Sequence, residues 1–176
     1  ISKTAAKGVI SVLDPGGYGS VTINKSITID GGGMSGSILA TGGINGILIN
    51  AGATDVVRIK DLSLDGATTG AAGVRILNAG SVYLENVKIH DFSEGVYVLP
   101  SGSTKVFVGD SVISNNPDAG IYSVPGAGGF ARISISDSKV YGNGHGIRAD
   151  DRSEVSIRNS SFLTNLNSGI LAMSAS

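Results

Sequence analysis

Five times between residues 57 and 162 the chain repeats one short pattern, V-x-I-x-[DN]-x-x-I. The copies open as Val57-Arg58-Ile59-Lys60-Asp61, Val82-Tyr83-Leu84-Glu85-Asn86, Val106-Phe107-Val108-Gly109-Asp110, Ile133-Ser134-Ile135-Ser136-Asp137 and Val155-Ser156-Ile157-Arg158-Asn159. Their Asp/Asn anchors, at 61, 86, 110, 137 and 159, are 25, 24, 27 and 22 residues apart. A second anchor follows each one: Gly73-Val74, Gly95-Val96, Gly120-Ile121, Gly146-Ile147 and Gly169-Ile170, with Gly46-Ile47 as an earlier copy. Asn116, Asn143 and Asn165 recur six residues after three of the anchors, and residues 9–12 with 21–29 form a degenerate first copy.

A unit of this size with alternating apolar residues and no helical period cannot bury its apolar face alone. Stacking equivalent strands about 4.8 Å apart buries it in a continuous core. The pattern therefore predicts an all-β chain, a parallel β-helix of about seven coils. Each coil is expected to hold three strands of two to five residues, giving three short parallel sheets in a single domain over 1–176. The inward columns are Val57/Val82/Val106/Ile133/Val155, Ile59/Leu84/Val108/Ile135/Ile157, Leu64/Ile89/Ile113/Val140/Phe162 and Val74/Val96/Ile121/Ile147/Ile170. The Asp/Asn anchor suits a corner in left-handed backbone. Propeller blades need roughly 40 residues per repeat, and an immunoglobulin-like sandwich does not repeat residue by residue.

Composition narrows the partners. The 27 glycines among 176 residues, with many Ser, Asn and Asp, fit short strands and frequent turns. Thirteen basic and 14 acidic residues are scattered along the chain, so no nucleic-acid footprint and no attraction to an anionic membrane are expected. No apolar run reaches membrane-spanning length, and the absence of cysteine excludes disulfides and thiol chemistry. A chain that begins Ile1-Ser2-Lys3 reads as a mature or trimmed product. It finishes as another coil begins, Gly169-Ile170-Leu171-Ala172-Met173, so end-to-end pairing of copies through uncapped coils is a further expectation.

The V-x-I-x-[DN]-S-x-I-x-x-N…G-I-x pattern resembles the repeat of the right-handed, pectate-lyase-like parallel β-helices, over nearly the whole chain. The opening, "VLDPGGYGSVTINKSITIDGGG", resembles the first coils of secreted bacterial β-helix proteins. The resemblance implies a right-handed helix, an extracytoplasmic location (secreted or at the cell surface), and residues 1–8 as the remnant of a cap helix. It also implies that the Gly-Ile-x strand lies in the sheet that lines a polysaccharide cleft in the family's enzymes. That superfamily holds lyases, hydrolases, epimerases, tailspikes and non-enzymes, so fold alone does not choose among them.

On that sheet the outward column reads Arg75, Tyr97, Tyr122, Arg148, Leu171, with Asp150 in the next column and Glu94, Ala119, His145 and Ser168 in register just before it. Glu94, Arg75, Tyr97 and Tyr122 are the candidate ligand-binding residues, because aromatic faces suit sugar rings and arginine suits uronic carboxylates. His145, Arg148 and Asp150 are the candidate catalytic residues of a polysaccharide lyase or glycoside hydrolase acting on uronic-acid glycans. "GHG" at 144–146, "DD" at 150–151, "RIK" at 58–60 and the degenerate Asn116-Pro117-Asp118 resemble polygalacturonase motifs. Hydrolysis there needs clustered carboxylates to protonate the leaving oxygen and activate water. The motif order differs from the family's, and Arg58 and Lys60 fall on another sheet. Gly-x-Gly before Ile is also what a turn with positive φ asks for.

Asp150 and Asp151 with Arg148 are the only local fit to a calcium-dependent lyase site, and consecutive strand residues point to opposite faces, so the pair chelates one calcium ion only if the loop bends; no cofactor is expected, and calcium stays open without a strong motif. His90 reads as a surface histidine beside Asp91. The leading expectation is a non-catalytic structural or polysaccharide-binding module. The lyase or hydrolase is the alternative, and a truncated or engineered scaffold is a third reading.

Overall fold

The computed structural model describes residues 1–33 and 36–174. The chain coils into a parallel solenoid with three faces, each seven strands deep, so six full turns separate the first strand of a face from its last. The first face stacks Val9–Ser11, Ile27–Asp30, Val56–Lys60, Ser81–Glu85, Ser103–Gly109, Phe130–Ser136 and Ser153–Arg158 as one parallel sheet. The second and third faces share a sheet rather than forming two, because Ser63–Asn78 and Lys88–Val98 run unbroken through the corner between them. These strands exceed the expected two to five residues: they resume directly after the corner, where Ala67, Thr68 and Asp91 take left-handed backbone and the register shifts between His90 and Phe92.

All four inward columns pair in the expected register, Val57 with Val82 and on to Val106, Ile133 and Val155, and likewise for the others. Their members from 57 to 147 are buried. Each such side chain contributes about 1.5–3 kcal/mol on leaving water. Burial falls off in the coil from 153 to 172, where Ile157 and Ile170 are exposed and Val155 and Phe162 only partly covered. The first coil also differs from the reading above: Val21–Ile23 closes it, whereas Ile27–Asp30 opens the second. Residues 1–8 form successive turns, not helix, held by the Lys7 amide donating to the Ser26 carbonyl (2.7 Å).

The first corner is built by three short side chains. Asp61, Asn86, Asp110, Asp137 and Asn159 all adopt left-handed backbone, with φ between 46° and 57°. The Asn86 and Asn159 amides donate along the stack to the carboxylates of Asp61 (2.6 Å) and Asp137 (2.7 Å). Immediately after, the Ser111, Ser138 and Ser160 hydroxyls accept from the amides of Val87, Ser111 and Ser138 one coil below. Each hydroxyl also donates to the carbonyl two residues before it.

The second corner carries a buried amide ladder. Asn116, Asn143 and Asn165 each accept, through Oδ1, the backbone amide of the residue one coil below: Phe92, Asn116 and Asn143 (3.0–3.1 Å). Asn116 and Asn143 also donate Nδ2 to the next Oδ1. The ladder ends where Phe92 takes the asparagine position and fills the core with its ring. The glycines of "GHG" have a different cause from the one expected. Neither Gly144 nor Gly146 has positive φ; instead a Cβ on Gly146 would sit 2.3 Å from the Gly169 carbonyl oxygen, and one on Gly144 2.2 Å from that of Pro117. Close coil-to-coil approach, not handedness, excludes a side chain there.

Three substitutions test these contacts by denaturant unfolding. Gly95→Ala places a Cβ 2.5 Å from both the Gly120 carbonyl oxygen and Ile113 Cγ2 and is expected to cost about 3 kcal/mol. Gly109→Ala, whose nearest neighbour is 3.7 Å away, is expected to fall within about 0.5 kcal/mol of wild type. Asn143→Ala strips partners from the buried Asn116 amide groups and is expected to cost about 2–3 kcal/mol.

Candidate functional site

On the third face the expected outward column forms one continuous stack. Arg75 pairs in register with Tyr97, Tyr97 with Tyr122, and Tyr122 with Arg148. The strand spacing brings the tyrosine rings nearly parallel, with centroids 5.2 Å apart and planes 13° apart. The Arg75 guanidinium carbon lies 5.1 Å from the Tyr97 centroid and that of Arg148 4.4 Å from the Tyr122 centroid. The result is an Arg-Tyr-Tyr-Arg ridge along the solenoid axis. Each ring has the other tyrosine on one face and a guanidinium on the other, so the ridge presents ring edges, hydroxyls and guanidinium N–H groups outward.

Asp150 closes the ridge. Two residues after Arg148 on the same strand direction, it accepts from Arg148 Nε (3.3 Å) and from the Tyr122 hydroxyl (3.2 Å), one with each carboxylate oxygen. Burial, and after it the Asp150 charge, pushes the Tyr122 hydroxyl above the ordinary tyrosine range. Glu94 is half-buried beside the column. Burial raises its pKa, helped by the charge of Asp118 and opposed by a hydrogen bond from Ser93 and by Arg75.

The candidate catalytic residues divide into two sets. Arg148 and Asp150 belong to the ridge. His145 pairs in register with Ala119 and Ser168, as expected, and its Nδ1 lies 2.8 Å from the Ser168 hydroxyl. Asp150 and Asp151 border a depression of about 230 Å³ with Val124, Pro125, Arg152 and Met173, and neither His145 nor Arg148 lines it. The other motif fragments lie elsewhere. Arg58 and Lys60 are on the first face, where Arg58 covers the Tyr83 ring at 3.9 Å and Lys60 pairs with Asp30 at 2.8 Å. Asp118 sits in the bend before its strand.

A family model for the right-handed β-helix region matches residues 45–176. The chain belongs to that family. No curated protein and no solved structure matches it. The match covers every coil of the β-helix that carries the ridge and leaves the chemistry of the ridge to its own geometry.

Sequence reasoning placed the column but missed two features. The closure by Asp150 was legible as an Arg-x-Asp spacing on one strand. A second stack on the first face, Arg58 over Tyr83 and Tyr83 against Phe107 with centroids 4.6 Å apart, was legible as V-R-I, V-Y-L and V-F-V in successive copies. Ultraviolet titration of tyrosine tests the closure. Asp150→Asn removes a charge that raises the Tyr122 pKa and frees Arg148, which lowers it, so the Tyr122 transition is expected to move down while staying above the ordinary value. The Tyr122→Phe difference spectrum assigns it.

Proposed function

We propose that this β-helix is a non-catalytic module that binds polysaccharide along the Arg75–Tyr97–Tyr122–Arg148 ridge. The observation that carries the reading is the ridge itself, an axial row of stacked side chains on a repeating backbone, which matches the extended, repeating form of a glycan. Its outward chemistry favours a uronic-acid polymer. Arg75 lies over Tyr97 with no ion pair among the described residues, so its fork of N–H groups is open to a carboxylate, and the tyrosine edges and hydroxyls meet sugar hydroxyls. A module of this kind works outside the cytoplasm, secreted or at a cell surface, where such polymers are found.

The non-catalytic part of the proposal is supported by how the candidate catalytic residues are engaged. Both oxygens of Asp150 are engaged by Arg148 and Tyr122, and the Nδ1 of His145 meets the Ser168 hydroxyl. Lyase or hydrolase chemistry needs a base or an acid free to exchange a proton with the substrate.

Affinity electrophoresis and calorimetry on polygalacturonate, alginate and pectin test this. Wild type is expected to bind one of them. Arg75→Gln is expected to weaken binding tenfold or more through loss of a charge-assisted pair. Tyr97→Ala/Tyr122→Ala is expected to abolish it, with thermal unfolding confirming that the coil persists. No binding by wild type, or equal binding by Arg75→Gln, contradicts the proposal. Release of unsaturated products or reducing ends by wild type contradicts its non-catalytic part.

A further inference from the structure

Among the described residues, one cluster outside the ridge joins side chains with metal-ligand chemistry. Asp65 lies on Ser63–Asn78, and His90 stands directly opposite it, one coil on, in Lys88–Val98. Consecutive strand residues normally point to opposite faces. Asp91, however, adopts left-handed backbone (φ 60°) where the pairing register shifts, which turns its carboxylate to the side of His90. The His90 Nδ1 is 2.8 Å from Asp91 Oδ2 and 3.8 Å from Asp65 Oδ1. Asp65 is itself fixed by the Ala67 amide, which donates to the same Oδ1 at 2.7 Å. Neither carboxylate pairs with a lysine or arginine among the described residues.

The geometry points to a divalent transition-metal site formed by Asp65, His90 and Asp91. One ligand atom from each residue lies within 4.8 Å of the others. Bonds of about 2.0–2.1 Å in tetrahedral array put ligand atoms roughly 3.3 Å apart, between the two separations observed at Nδ1. The ion takes the place of the proton shared by His90 and Asp91, so the imidazole binds neutral through Nδ1. One nitrogen with two carboxylates suits zinc, cobalt, nickel or manganese; calcium and magnesium prefer all-oxygen sets. The side chains of His90, Asp91 and Asp65 are 32%, 33% and 43% exposed, which leaves the remaining coordination positions to water or an incoming ligand. The neighbouring rungs of the column, Leu39 on one side and Ser114 then Tyr141 on the other, confine the donor set to two coils.

The test is calorimetric titration of the tag-free chain with zinc, paired with cobalt(II) absorption and thermal unfolding. Wild type is expected to bind one zinc per chain and to unfold at higher temperature with it. His90→Gln and Asp65→Asn are each expected to weaken binding by tenfold or more. Asp110→Asn, a corner carboxylate whose backbone also suits asparagine, is expected to bind as wild type does. Circular dichroism of the metal-free variants confirms that they fold. No saturable binding by wild type overturns the proposal, and so does equal binding by wild type and His90→Gln.

Discussion

Every part of this molecule depends on one distance, the spacing between hydrogen-bonded strands of successive coils. Because each coil repeats directly above the last, a side chain's neighbour along the axis is its own counterpart one repeat away. In the core this demands like on like, and the valine, isoleucine and leucine columns supply it. At the corners the same spacing lets one serine or asparagine serve two coils, accepting from the backbone below while anchoring its own turn. Where the backbones come closer, as at Gly95, Gly120 and Gly146, it leaves no room for a Cβ.

The surface obeys the same constraint. Arg75, Tyr97, Tyr122 and Arg148 stack because they occupy one outward register position in consecutive coils. The stack covers the ring faces and so helps to shield the sheet. That leaves edges, hydroxyls and guanidinium groups for a ligand, which argues for a groove-following contact along the axis over a sugar ring laid flat on an aromatic plane. The tyrosine and arginine therefore serve the fold and the proposed binding with different parts of the same side chains. The acid at the end of the ridge, Asp150, is committed to holding it together.

The coil number, inward columns, left-handed corner and position of the ridge were all legible in the sequence, because a repeat turns one-dimensional spacing directly into three-dimensional register. What escaped was set by local backbone departures that spacing does not encode. The glycines of 144–146 look like turn glycines until the carbonyls of the coils on either side are placed. The strands through 63–78 and 88–98 continue past a corner that was expected to end them, although Ala67, Thr68 and Asp91 turn it in left-handed backbone. Asp91 joins His90 on one side only because its φ is positive, and Asp65 enters through a pairing one coil away. The helix expected before the first coil is a run of turns, since that expectation rested on resemblance and not on a helical pattern in residues 1–8.

The most direct measurement of the central claim, that ligand recognition lies on the third-face ridge, is an NMR titration of ring-labelled tyrosine with oligogalacturonate or the equivalent oligomer of whichever polymer binds. The five tyrosines form a built-in map, with Tyr97 and Tyr122 on the ridge, Tyr83 in the first-face stack, and Tyr18 and Tyr141 elsewhere. The account predicts saturable shifts of Tyr97 and Tyr122 while the other three stay in place. Shifts centred on Tyr83, or no shift of Tyr97 and Tyr122 at saturating ligand, would contradict it.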